Sequence, residues 1–144
     1  MAERMILVVD DSADDRDLTI HALKQNKVSY QVHTAVDGVE ALDLLLGRGG
    51  RERLEPMLVV MDLNMPRVDG LQALRALRLD RRTWLLPVIM LTASQEEQDR
   101  LRSYDLGVNT FIRKPVDSPK FNEAVRLLGL YRLLADGTLP LDLK

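Results

Sequence analysis

The chain has 144 residues, 46% hydrophobic, 29% charged and 4% aromatic, a length that suits one domain with a sizeable core. Its 20 basic and 22 acidic side chains leave a net charge of -2, which speaks against a nucleic-acid or anionic-membrane partner. The absence of cysteine excludes disulfides, thiolate metal sites and cysteine nucleophiles. No apolar run nears the roughly 18 residues of a membrane-spanning helix, and Met5 to Val9 is too short for a signal-peptide core. A cytoplasmic location is therefore expected.

Met5-Ile6-Leu7-Val8-Val9 is apolar without interruption, as expected of a strand buried on both faces. A helix is predicted over residues 13–25, with Leu18, Ala22 and Leu23 inward. Residues 30–36 form a second strand, half polar through Gln31 and His33 and so placed near an edge. After Asp37-Gly38, the spacing of Val39, Leu42, Leu45 and Leu46 predicts an amphipathic helix that ends at Gly47-Arg48-Gly49-Gly50. Met57 to Met61 is the third strand, and Asp69-Gly70 opens a helix carrying Leu71, Leu74, Leu77 and Arg78. The fourth strand, residues 87–91, begins with a proline where its missing N–H is tolerated. Ser94 caps a helix over residues 95–104, which ends near Gly107. Residues 110–113 make the fifth strand, and a last helix starts at Asp117 or Ser118 and runs past Leu134. Repeated strand–helix alternation predicts an α/β fold, a parallel sheet with helices on both faces.

Ligands of such sheets bind beyond the carboxyl ends of the strands. The runs end in Asp10-Asp11, Asp62, Thr92 and, past Arg113, Lys114. Three carboxylates, a hydroxyl and an ammonium would thus share one rim, while Asp37 ends an edge strand away from it. Asp10, Asp11 and Asp69 would serve equally as helix caps if taken singly. Two carboxylates about 5 Å apart repel by roughly 3 kcal/mol at an effective dielectric of about 20. Lys114 alone is insufficient compensation, so a hard divalent cation such as Mg²⁺ is expected.

Val8-Val9-Asp10-Asp11-Ser12, Met61-Asp62-Leu63-Asn64-Met65-Pro66 with Asp69-Gly70, Leu91-Thr92-Ala93 and Ile112-Arg113-Lys114-Pro115 together resemble the receiver domain of two-component response regulators. Arg102-Ser103-Tyr104-Asp105-Leu106-Gly107 and Lys114-Pro115-Val116-Asp117 further resemble single-domain regulators that partner phytochrome-type histidine kinases. The resemblance implies a three-layer, doubly wound five-stranded sheet of CheY-like (flavodoxin-like) fold in strand order 2-1-3-4-5. It implies a receiver over residues 4–129, followed by an extension over 130–144, helical at first and with no output domain. By the same resemblance, Asp62 accepts a phosphoryl group from a sensor histidine kinase, and Mg²⁺ is held by Asp11, Asp62 and the Asn64 carbonyl, with Asp10 acting through water. Lys114 pairs with Asp62 and later with the phosphoryl oxygens, its bond to Pro115 is cis, and Thr92 and Phe111 are the switch that signals to a downstream protein. A homodimer is expected through a second apolar stripe on the last helix, Leu127, Leu130, Tyr131 and Leu134. The alternatives are a Mg²⁺-dependent phosphatase with an Asp nucleophile, disfavoured because Asn64 stands where a second Asp would be needed, and a flavin-mononucleotide module, disfavoured by acidic Asp10-Asp11.

Overall fold

A computed structural model describes residues 4–25, 30–102, 104–116 and 118–135. Five strands, β1 (Met5–Val9), β2 (Gln31–Ala35), β3 (Leu58–Asp62), β4 (Val88–Thr92) and β5 (Thr110–Arg113), alternate with five helices. These are α1 (Ala13–Lys24), α2 (Gly38–Leu46), α3 (Gly70–Leu79), α4 (Gln95–Arg102) and α5 (Ser118–Ala135). The strands are all parallel, in the order β2-β1-β3-β4-β5. This is the expected order.

The uninterrupted apolar strands have a direct cause. Alternate side chains of a strand face opposite sides of the sheet, and both sides here carry a core. Leu7, Val9, Val59, Met61, Val88 and Met90 pack with Leu42, Leu45, Leu74 and Leu77 of α2 and α3. Ile6, Val8, Leu58, Val60, Ile89 and Leu91 pack with Ala22 and Leu23 of α1 and with Phe121 and Val125 of α5. The edge strand β2 has a solvated side, and only its Ala35 is fully buried. Among the described residues no helix is long and apolar enough to cross a membrane.

Two expectations need correction or completion. Leu18 does not face inward; it is 53% exposed, and Thr19 is buried with Ala22 and Leu23 instead. Thr19 is three residues from Ala22 and four from Leu23 and so lies at the centre of the buried face, whereas Leu18 is four from Ala22 but five from Leu23 and lies at its margin. On α5 the inward set is as expected, with Phe121 and Val125 fully buried and Leu128 partly so. Of the proposed dimer stripe, Leu127 is 51% exposed, and the side chains of Leu130, Tyr131 and Leu134 lie outside the described residues.

The helix starts are built by side chains. Ser12, Asp37 and Asp69 cap α1, α2 and α3, each accepting from a backbone N–H in the first turn, and Asp69 with Gln72 completes a capping box. At the start of α3 the backbone runs hard against the end of β3: a Cβ on Gly70 would lie 2.6 Å from the Asp62 carbonyl oxygen and 2.8 Å from Leu63 Cα. Those neighbours are backbone and cannot step aside without moving Asp62. Gly70→Ala is therefore expected to destabilise the fold by about 1–3 kcal/mol, the usual cost of overpacking, read as a lower urea midpoint. An unchanged midpoint would contradict this contact.

Candidate functional site: an acidic rim with one lysine

The strand ends meet as the sheet predicts. Asp10 follows β1 and is fully buried, Asp62 ends β3 at 5% exposure, and Asp11 stands exposed beside them. Carboxylate oxygens of Asp10, Asp11 and Asp62 all lie within 4.8 Å of one another. Asp10 Oδ1 accepts from the Ser12 N–H at 3.0 Å, and Arg16 Nη1 donates to the Asp10 carbonyl at 2.7 Å, which fixes the β1–α1 turn. Asp37 lies elsewhere, at the start of α2, ion-paired with Arg67.

Lys114 reaches the cluster from the end of β5. Its N–H donates to the Thr92 carbonyl at 2.8 Å, and the bond to Pro115 is cis, as expected. The ammonium does not belong to Asp62 alone. Nζ is 3.4 Å from Asp62 Oδ1 but 2.9 Å from Asp10 Oδ2 and 2.8 Å from Asp15 Oδ2. Burial works against the lysine's charge, yet its close contacts with the Asp15 and Asp10 carboxylates and the field of Asp62 outweigh it and hold the ammonium more firmly protonated than usual. Asp62 is pushed the other way, from 3.8 up to about 6, by burial first and the Asp10 charge second, with Lys114 and the Asn64 N–H opposing.

Asp10 Oδ2 is buried and makes no aligned hydrogen bond; its ionic contact with Lys114 is the compensation it has. A buried anionic oxygen in that condition, beside two further carboxylates, fits a hard cation with oxygen ligands. Among the described residues, Asp10, Asp11 and Asp62 are the side chains able to hold it.

Thr92 is fully buried, and its Oγ1 accepts from Gln98 Nε2 of α4 at 3.2 Å. Glu97 of the same helix accepts from Asn64 Nδ2 at 2.9 Å and from the Ala93 N–H at 2.7 Å, joining the β3–α3 and β4–α4 loops over the rim. The Asn64 contact, foremost, holds the Glu97 carboxyl below its usual range. Phe111 is half-buried, with the Arg102 guanidinium 4.5 Å above its ring centroid. Asp15, Glu97 and Gln98 were not legible from strand ends, because all three sit inside helices. Ser12-x-x-Asp15 was a signal of sorts, since it has the spacing of a capping box.

Residues 6–126 match the family model of the response regulator receiver domain, and the chain belongs to that family. Among solved structures it is similar to the bacteriophytochrome response regulator AtBRR, at 42% identity and a TM-score of 0.79, covering 90% of this chain and 94% of that one. It is also similar to the phosphorylated cyanobacterial phytochrome response regulator RcpA, at 31% identity and a TM-score of 0.68, covering 96% and 98%. The response regulator Rcp1 of Synechocystis is 33% identical over 112 residues, 77% of this chain and 76% of its own. A solved structure of a response regulator Rcp1, in its Mn²⁺-bound form, is 28% identical with a TM-score of 0.69, covering 95% of this chain and 97% of that one. Of the longer Synechocystis regulators RpaA and Rre1 the chain matches 48% and 53% of the length, about half.

The elevated Asp62 has a consequence for stability. Below 3.8 the carboxyl carries its proton in both folded and unfolded chains; above about 6 it is charged in both, and the fold must hold a buried charge. In chelator-containing buffer, Asp62→Asn should therefore be more stable than the wild type at pH 7, and the gap should close as the pH falls through 6 toward 4. Urea midpoints of the two proteins across that range decide it. A gap that stays constant or widens on acidification would be the wrong sign.

Proposed function

We propose that this chain is a phosphoacceptor of a two-component relay, taking a phosphoryl group from a phosphohistidine of a sensor histidine kinase onto Asp62. The observation that carries the reading is the geometry of the rim: a nearly buried carboxylate at a strand end, two further carboxylates within 4.8 Å and an ammonium 3.4 Å away. The names of AtBRR and RcpA support a phytochrome-type kinase as the donor, and the Mn²⁺ form of Rcp1 supports a divalent cation at the acidic cluster.

Asp62 is the nucleophile. One of its oxygens bonds to phosphorus as the phosphorus–nitrogen bond of the phosphohistidine breaks, and the imidazole leaves with that electron pair. Asp11, Asp62 and the Asn64 carbonyl would hold Mg²⁺, with Asp10 acting through water. When bound, Mg²⁺ supplies positive charge to the phosphoryl oxygens. Lys114 supplies a second, fixed positive charge, and its position directly after β5 makes it the link between chemistry and the rest of the domain. Thr92 can turn its hydroxyl to the phosphoryl group, and Phe111, covered by Arg102 rather than sealed in the core, can follow. The output is contact with a downstream protein. The phosphatase alternative finds no support, since Asn64 is engaged with Glu97 and the family is the receiver's.

Incubated with Mg²⁺ and acetyl phosphate, the wild type should acquire one acid-stable, base-labile phosphoryl group, seen as a mass increase, and Asp62→Asn should acquire none. Equal incorporation by the variant would overturn the assignment. Lys114→Ala should still be phosphorylated but fail to transmit. Moving a two-state switch from 1:99 to 99:1 takes about 5.5 kcal/mol, and a charge-assisted contact supplies roughly 1.5–3 kcal/mol of it. Complete loss of phosphorylation in a folded Lys114→Ala would assign the lysine to the chemistry instead.

A further inference from the structure

We propose that Asp15 is a positioning residue that competes with the phosphoryl group for Lys114, so that α1 is tethered to the rim at rest and released on phosphorylation. The inference rests on the phosphoacceptor reading and adds a residue and a direction to it.

An ammonium has three N–H donors. Among the described residues three carboxylates surround it, Asp15 at 2.8 Å, Asp10 at 2.9 Å and Asp62 at 3.4 Å. At rest the ammonium stands among three anions, its aligned hydrogen bond going to Asp15 and its contacts with Asp10 and Asp62 being ionic. A phosphoryl oxygen that draws the ammonium toward Asp62 pulls it from its other carboxylates, and these are not equally replaceable. Asp10 is fully buried, so losing the lysine there costs more than losing it at a carboxylate open to bulk water. The Asp15 side chain is 38% exposed, and water can solvate it as soon as Lys114 turns away. Asp15 is therefore the contact that yields, although it is the shortest.

The hydrogen bonds of the β1–α1 turn leave this carboxylate without a capping role. In a capping box the Asp15 side chain would return to the Ser12 N–H. That N–H is taken by Asp10 Oδ1 at 3.0 Å, while Ser12 Oγ accepts from the Asp15 N–H at 3.2 Å. The cap of α1 is thus complete without the Asp15 carboxylate, which crosses to β5 and bonds a residue 99 positions away. Removing its charge should leave the helix start intact and the lysine more available.

The test titrates beryllofluoride, a mimic of the phosphoryl group, into the full chain at saturating Mg²⁺ by calorimetry. Asp15→Asn should bind it about fivefold more tightly than the wild type, within the usual coupling of groups that share a partner. Asp14→Asn removes the same charge from the same exposed turn without touching Lys114, and should change affinity by less than about twofold because exposed charges are screened. In a Lys114→Gln background the gain from Asp15→Asn should vanish. Unchanged or weaker binding by Asp15→Asn, an equal gain in Asp14→Asn, or a gain that persists without Lys114 would each overturn the inference. A wild type that fails to bind beryllofluoride at all would overturn the phosphoacceptor reading itself, and this inference with it.

Discussion

Burying carboxylates at the ends of strands is the constraint around which this molecule is arranged. A parallel strand with core on both faces has one place to put a polar side chain, its end, and β1 and β3 put Asp10 and Asp62 there at 0% and 5% exposure. Neither can be left alone in that position. The lysine at the end of β5 answers part of the charge, and Asp62 answers another part by holding its proton up to about 6. What remains uncompensated is what the proposed function draws on: three carboxylates around one ammonium leave negative charge that a cation could balance.

The loops over the rim convert that electrostatic situation into a mechanical one. Glu97 and Gln98 are consecutive residues of α4, one bonded to Asn64 and Ala93, the other to Thr92. The first turn of α4 is thereby attached to the loops after β3 and β4 at once. Lys114 attaches β5 to α1 through Asp15. Thr92 and Lys114, through which the proposed switch would run, each have a helix on their far side. Packed cores respond to such competition by switching between arrangements rather than by yielding gradually.

The fold was readable because its determinants are local. Three apolar runs ended by Asp10, Asp62 and Thr92, with two mixed segments leading to Asp37 and Lys114, specify strands and their exits, and Asp69 announces a helix start; Ser12, rather than Asp10 or Asp11, caps α1. Thr19 was not readable, because a hydroxyl on a mostly polar helix that also carries Leu18 cannot declare which of them faces the sheet until Leu23 has found its place. Asp15 and Gln98 were hidden for a different reason. Their partners, Lys114 and Thr92, are fixed by tertiary geometry, and a helical acid or amide looks like a solvated surface residue in sequence. What the sequence shows is the rim; what it conceals is how the rim is tied to the helices.

The central claim is that the acidic rim carries charge that a divalent cation completes. It is tested most directly by the thermal unfolding of the unphosphorylated chain with increasing Mg²⁺ at pH 7, against NaCl of equal ionic strength. A cation that binds only the folded rim must stabilise it by linkage, by about 2.7 kcal/mol at a hundred times its dissociation constant. The account predicts a Tm that climbs with Mg²⁺ along that logarithmic curve and does not climb with NaCl. A Tm indifferent to Mg²⁺, or raised equally by both salts, would contradict it.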